Sequence, residues 1–368
     1  MSGTNSSFGN ARKSSRRQAL TTALSGAAAM AMGGIAPRLA QAGNRDPKWE
    51  AATESGLAWL AKRQSKGGWH ADRHPIAISG LASIALVASG STTTQGPYAK
   101  NICQAVDYLL SHQRPNGLIG DPVRDNHYTY GHGFAMLFLS QVLGEEDDED
   151  RRAQLLEALQ QAVDFSGKAQ TSAGGWGYVA AKAINDFDEG STTITQVQGL
   201  RGCRNAGITV PSEVVEKAKK YIYDCKNADG GISYSSRNKG TSRPAITAAA
   251  LATLNNAGDY DSEHVPKMLE YAKTNLHDLQ DNGSLFGHWH YAFLYYSQVV
   301  YRQGEQEWLP FRNKLYDRIT REQKMEPGNR TGYWEGGPNV GAYGPVYLTA
   351  CNLIMLQLDK AFLPIYQR

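Results

Sequence analysis

Residues 170–207 read QTSAGGWGYVAAKAINDFDEGSTTITQVQGLRGCRNAG. An amphipathic run over residues 155–170 ends at Gln170. Gly174 and Gly175 then allow backbone angles closed to other residues, so a helix stops there. Trp176 follows at once; a large ring beside a glycine turn wedges between neighbouring layers, with its N–H finding a partner. A loop with Asp186, Asp188 and Glu189 leads to Thr193-x-x-Gln196, the form of a capping box. That pattern predicts a second helix over residues 193–206, closed by Gly207. One unit is therefore an antiparallel helix pair of roughly 50 residues, a period typical of helical repeats.

The rest of the chain repeats this plan, giving six units: 56–90, 98–144, 155–207, 211–258, 265–304 and 307–358. Glycine-rich turns mark them at Gly67-Gly68-Trp69, Asn116-Gly117, Gly230-Gly231 and Asn282-Gly283, with Tyr333-Trp334 in the last. Pro75, Pro244 and Pro345 fall in the first turn of a second helix, where a missing N–H costs nothing. The second helices are apolar almost all round and the first carry charges on one face, which predicts an inner and an outer ring. The fold expected is all-α: six helical hairpins closed into an α/α toroid. An open solenoid would need polar end repeats, and the sequence has none. The tail, with Phe362, Leu363 and Tyr366, is expected across the first unit, and the acidic run 145–150 as a solvated loop.

Residues 1–42 read as a targeting segment followed by a single domain over 43–368. Arg12, Lys13, Arg16 and Arg17 precede an apolar stretch over 20–35, and Ala40-Gln41-Ala42 has the form of a cleavage site. Ser15-Arg16-Arg17-Gln18-Ala19-Leu20 resembles a twin-arginine signal, which implies export of the folded chain to the periplasm or cell envelope. The segment holds five basic residues and no acidic one, so the formal +3 of the whole chain becomes −2 without it. Nothing then points to a nucleic-acid partner, and no later apolar run reaches membrane-spanning length. Cys103, Cys203, Cys225 and Cys351 form no CxxC pair and read as buried thiols, with disulfides left open.

Gln170-x-x-x-Gly174-Gly175-Trp176, with a shortened form at Gln64–Trp69 and a decayed one at Gln113–Gly117, resembles the prenyltransferase and squalene-cyclase repeat. The resemblance covers nearly all of 43–368, and the chain's end is similar to exported bacterial members of unassigned role. Class II terpene cyclases of that family use an Asp-x-Asp-Asp acid motif. Asp186-Phe187-Asp188-Glu189 resembles it, which implies Asp188 as proton donor flanked by Asp186 and Glu189. Clustered acids retain a proton because they cannot all ionise cheaply. The same acids also precede a helix N-terminus, where the dipole favours them for structural reasons alone. The Asp-x-Cys zinc pair of protein prenyltransferases is missing, since Asp224 and Cys225 are adjacent. Asp147-Asp148-Glu149-Asp150 matches a diphosphate-binding motif only superficially.

The N-termini of the inner helices should converge at one end, the mouth. That end collects Asp72, Arg73 and His74; Asp125, His127, Tyr128, Tyr130 and His132; Asp186, Asp188 and Glu189; Arg243; His288 and His290; and Asn339 with Tyr343. Of these, His74, His127, Tyr128, His132, Arg243, His288, His290 and Tyr343 are the candidate ligand-binding residues. No metal or other cofactor is expected, because helical i, i+4 histidine pairs are absent. Three readings stay open. The first is an isoprenoid-binding or cyclising protein with Asp188 as acid and aromatic faces for carbocations. The second is a non-catalytic binding or scaffold protein, with a protein partner or peripheral membrane contact. The third is a carbohydrate enzyme acting on uronate polymers, with histidine or tyrosine as base and arginine on the carboxylate.

Overall fold

The computed structural model describes residues 45–70, 73–182, 185–260, 262–280, 285, 288–336 and 343–366. The expected leader over 1–42, the turn at Asn282-Gly283, Asp72 and Asn339 lie outside the described residues. Among the described residues, twelve α-helices alternate between two rings. The outer ones are α1 (Pro47–Lys62), α3 (Ala99–Ser111), α5 (Glu149–Ala169), α7 (Ser212–Asp224), α9 (Val265–Leu276) and α11 (Glu305–Arg321). The inner ones are α2 (Pro75–Val87), α4 (Tyr128–Leu143), α6 (Gly190–Asn205), α8 (Pro244–Ala257), α10 (Trp289–Arg302) and α12 (Gly344–Leu356). A two-stranded ribbon, β1 (Lys324–Met325) with β2 (Gly332–Tyr333), and two short 3-10 helices, Leu358–Lys360 and Pro364–Tyr366, are the remaining regular elements among the described residues. Each inner helix packs on the next, and α12 packs back on α2, so the ring is a closed α/α toroid.

Three contacts recur at the glycine turns and build this ring. The first is a close approach. Gly174 has φ +96°, and a Cβ there would lie 2.2 Å from the Lys217 carbonyl of α7, while one at Gly175 would lie 2.8 Å from the Tyr221 ring. Only glycine lets the turn sit that near the next outer helix. Gly67 and Gly230 press on Gln104 and Lys267 in the same manner. The second is a glutamine clasp. Gln170 donates through Nε2 to the carbonyls of Gly174 and Val214, at 2.8 and 2.9 Å, the latter on α7. Gln64, Gln113 and Gln323 reach carbonyls of α3, α5 and α1 likewise.

The third contact joins each turn to its own inner helix. The Trp176 amide donates to Thr193 Oγ1 (3.1 Å), and its indole Nε1 donates to the Ser166 carbonyl (2.8 Å). Trp69, Ile232 and Trp334 repeat the amide bond on Ser79, Thr247 and Thr349. These tryptophans are fully buried, so an unpaired amide or indole would be costly.

The same bonds correct the expected helix start. Thr193 and Gln196 form no capping box: Thr193 serves Trp176, and Gln196 donates to the Thr129 carbonyl (2.7 Å) while accepting from Ser166. α6 begins one turn earlier, capped by Glu189, whose carboxylate accepts the Ser191 and Thr192 amides. The acidic run 145–150 also has more structure than a solvated loop: Asp148 caps α5 by accepting the Arg151 amide at 2.8 Å.

Closure joins the two ends of the sequence. Trp59 stacks on Tyr333 at 5.1 Å, Trp49 donates to Asp317, and Gln357 donates to the Ala85 carbonyl. Arg45 binds Glu50, Asp359 and the Leu356 carbonyl, while buried Arg312 holds Asp359 from the other side. The tail starts at the first unit, with the Phe362 ring 3.2 Å from a Cβ built on Gly90. It runs on to α6, and Arg302 of α10 takes the Ile365 carbonyl. No disulfide joins the four cysteines. Burial pushes the Cys203, Cys225 and Cys351 thiols up to about 12, which makes them inert.

Replacing Gly174 and Gly207 by alanine separates close approach from backbone angle. Both have positive φ, but nothing lies within 4 Å of a Cβ at Gly207. Gly207→Ala is expected to lose about 1–2 kcal/mol in urea unfolding. Gly174→Ala should lose at least about 3 kcal/mol. Equal losses would show that the packing against α7 contributes nothing.

Candidate functional site at the mouth of the toroid

The middles of the inner helices form a plug of buried residues, Ile78, Phe138, Ile194, Val197, Tyr295 and Leu353 among them, with Phe134 half-buried; at their C-terminal ends Arg204 and Asn205 are exposed and Arg201, Asn255, Ala257 and Arg302 half-buried. Tyr130, Phe134, Ser191, Tyr291 and Tyr347 are half-buried above that plug. The mouth is therefore a cup whose floor, among the described residues, is aromatic.

The acids at the mouth are held in place by protein groups. Asp188 is fully buried. It accepts from Ser235 Oγ (2.8 Å), the Ser236 amide (3.0 Å) and Ser236 Oγ (2.9 Å), with Arg237 Nε 3.6 Å away. It staples the loop of the third unit to that of the fourth and has no face toward a ligand, so its expected role as proton donor finds no geometry. Asp186 binds Ser172 and Arg237, and the hydrogen bonds from Ser172 hold its pKa below the ordinary range. Glu189 is spent on the cap of α6 and also accepts from Tyr130 Oη (3.2 Å). Burial raises its pKa against the pull of those donors.

The candidate histidines divide. His132 is fully buried and structural: its Nδ1 accepts the Ile119 amide (3.1 Å) and its Nε2 donates to the Ala162 carbonyl (3.0 Å). It occupies the place that Ser79, Thr193, Thr247 and Thr349 hold in other units, and burial lowers its pKa to about 4. His290 lies edge-on to Trp289, and burial and then the charge of Arg318 of α11 bring its pKa to about 4. Tyr128 braces a loop, its hydroxyl accepting the Ala180 amide at 2.9 Å. His288 is exposed on the rim, with partial desolvation of its ring and the charge of Arg243 both lowering its pKa.

His74 and His127 come together. Their rings stack at 5.1 Å, 18° from parallel. Buried Asp125 accepts from His74 Nδ1 (2.7 Å) and from the His127 amide (2.8 Å) through one oxygen. An acceptor-only carboxylate places a proton on Nδ1, so that in the neutral ring of His74 the lone pair is on Nε2. The His74 backbone is left-handed, φ 53° and ψ 49°, directly before Pro75. That conformation is disfavoured for a residue preceding proline, and such strain persists where surroundings enforce it. The His127 pKa is lowered by burial and then by His74.

The ring system continues through two residues outside the candidate set, Tyr178 and Tyr234, to the candidates Arg243 and Tyr343. Tyr178 lies 4.0 Å from His127, its hydroxyl meets that of Tyr234, and Arg243 sits 4.6 Å over the Tyr234 ring. Tyr343 lies 5.9 Å from His74. The result is a crescent, Asp125–His74–His127–Tyr178–Tyr234–Arg243, crossing four units. Tyr178 and Tyr234 were legible in principle: each stands two residues after the turn residue whose amide binds the inner helix, at Trp176 and Ile232. Among the described residues no three His, Cys, Asp or Glu side chains are grouped to hold a metal ion.

No family model and no curated protein matches the chain. Among solved structures, it is similar to an inactive variant of an α-1,6-mannanase of Salegentibacter sp. HEL1_6 in complex with α-1,6-mannotetrose. The TM-score is 0.59 at 8% identity, covering 86% of this chain and 99% of that one. It is also similar to a variant of the type II terpene cyclase MstE from Scytonema in complex with merosterolic acid A. Here the TM-score is 0.53 at 15% identity, covering 85% and 99%. Both neighbours are α/α toroids, and at these identities the likeness is one of fold alone.

Two substitutions test the structural assignments. Asp188→Asn, which strands donors around a buried site, should lower stability by about 2–4 kcal/mol in denaturant unfolding. A protein as stable as wild type would return Asp188 to the list of catalytic acids. His132→Thr restores the residue type of the other units. The neutral imidazole is favoured in the folded chain, whereas the unfolded chain binds a proton below about 6.5. Its contribution is therefore full above pH ~6.5 and is lost as pH falls toward about 4, some 3 kcal/mol in all. Wild type should show this extra acid loss relative to His132→Thr, and parallel pH–stability curves would refute it.

Proposed function

We propose that the cup binds a segment of a glycan chain and that His74, oriented by Asp125, is its proton-transferring group. The observation that carries this reading is the buried Asp125–His74 pair beneath a stack of ring faces with polar edges. Rings of this kind offer an apolar face and a hydrogen-bonding tip together, which suits a sugar. A general base needs a lone pair and an orienting partner, and the neutral His74 ring has both. The bound mannotetrose of the mannanase neighbour supports the reading only in that a toroid of this kind accommodates a sugar chain. The export leader expected over residues 1–42 would bring the protein to extracellular polymers. An isoprenoid ligand is the second reading, favoured by the Phe134, Tyr291 and Tyr347 rings on the cup floor, whose faces suit a carbocation.

A binding and turnover screen of oligosaccharides, with a geranylgeranyl lipid beside them, tests both. Wild type should bind and convert a glycan. His74→Gln should keep the affinity within about threefold and lose at least a hundredfold in kcat, the usual share of a general base. Binding of the lipid alone would replace this reading by the second. Glycan binding without turnover by wild type would remove the catalytic role of His74.

A further inference from the structure

One side of α10 is polar over its whole length. Tyr291, Tyr295, Gln298 and Arg302 recur at i, i+4, i+7 and i+11, which sets them on one face of the helix. The opposite face meets the outer ring, where Phe293 and Tyr296 pack on Phe311 of α11 with ring centroids 6.5 and 5.3 Å apart. The polar stripe therefore faces the ring axis, and two contacts bear this out. Gln198 of α6 donates through Nε2 to Gln298 Oε1 (2.7 Å), although α8 packs between α6 and α10. Burial and then Tyr295, Tyr130, Glu189 and Tyr347 push the Tyr291 hydroxyl well above its ordinary range. Tyr130 and Glu189 belong to the second and third units, across the ring from the fifth.

Two hydroxyls of this stripe are buried and unpaired. Tyr295 has no exposed surface, and neither its Oη nor that of Tyr291 has a hydrogen-bond partner among the described residues. The two rings meet edge to face at 4.9 Å, so both orphaned groups belong to one cluster. At the end of the axis opposite the mouth, Arg302 donates to the Ile365 carbonyl (2.8 Å), and Leu363, Ile365 and Tyr366 of the tail are buried. Burial and then Tyr366, Cys351 and Glu189 raise the Tyr295 hydroxyl, which places it between the tail and the cap of α6.

An unpaired hydroxyl in an apolar interior is costly, and folded chains leave few of them. Both phenols are kept protonated, and the next groups along the stripe are the neutral amides of Gln198 and Gln298. Such a set calls for no ion. A molecule that donates and accepts with equal ease suits it, and water is the smallest of these.

We propose that the ring axis beneath the cup is an internal hydration site, with ordered water held by the hydroxyls of Tyr291 and Tyr295. The half-buried ring of Tyr291 is part of the cup floor, so this water braces the floor from below. The tail covers the site from the other side.

The test is a crystal structure at a resolution that shows ordered water, with urea unfolding of Tyr291→Phe and Tyr295→Phe beside wild type. Wild-type density should show water within hydrogen-bond distance of the two hydroxyls. Each variant should lose that water and unfold at a lower urea concentration, because it removes a paired group. A dry axis gives the opposite sign: deleting an unpaired hydroxyl removes its burial cost, and both variants would unfold at a higher urea concentration than wild type. That result, or wild-type density with nothing beside the hydroxyls, would overturn the proposal. Density for a larger solute would overturn the assignment to water. Should a variant fail to fold, the wild-type density decides alone.

Discussion

The approach of each glycine turn to the next outer helix is the constraint from which the ring follows. At Gly174 there is no room for a methyl group in front of the Lys217 carbonyl, and Tyr221 closes over Gly175. Because the turn is pinned there, Gln170 reaches Val214, and Trp176 falls between its own two helices with both N–H groups paired. A fixed turn fixes the angle between units. Repeated round the chain, that angle brings Trp334 and Gln323 of the last unit against α1, and the ring shuts.

Closure in turn decides where chemistry can happen. Six apolar helices facing one axis bury their middles against one another, and their half-buried rings lie near where they begin. The mouth is built from the starts of helices and the loops that lead into them, which are the parts least constrained by packing. Strain at His74, the buried acid beneath it and the tyrosines of neighbouring loops occur there together. The repeat supplies a rigid frame, and its few departures carry the individuality of the protein. One departure is purely structural: His132 does in the second unit what threonine does in the third, fourth and sixth.

The acids of the third unit show how one motif reads two ways. Spacing alone resembles a catalytic acid triplet, yet in the folded chain Asp188 bonds to a loop nearly fifty residues later and Glu189 becomes a helix cap. The neighbours of Asp188 in space are Ser235, Ser236 and Arg237, and no local pattern announces those contacts. Thr193-x-x-Gln196 failed as a capping box for the same reason, since the buried Trp176 amide needed Thr193 more than the helix end did.

Local rules were enough for the architecture. Glycine pairs at turns, prolines at Pro75, Pro244 and Pro345, and helices apolar on all sides determine two rings of alternating helices, because each depends on backbone angle or hydrophobic burial within one unit. The gathering of histidines at helix starts was legible for the same reason. Which of them meet was not. His74 and His127 stack because Asp125 holds both, while His132 is buried on a carbonyl and His290 packs against Trp289. Tyr178 and Tyr234 join the crescent only when the third and fourth loops lie side by side. Those contacts cross unit boundaries, where side-chain direction is set by the packing of the closed ring, and so the sequence determined the scaffold while the tertiary structure decided the site.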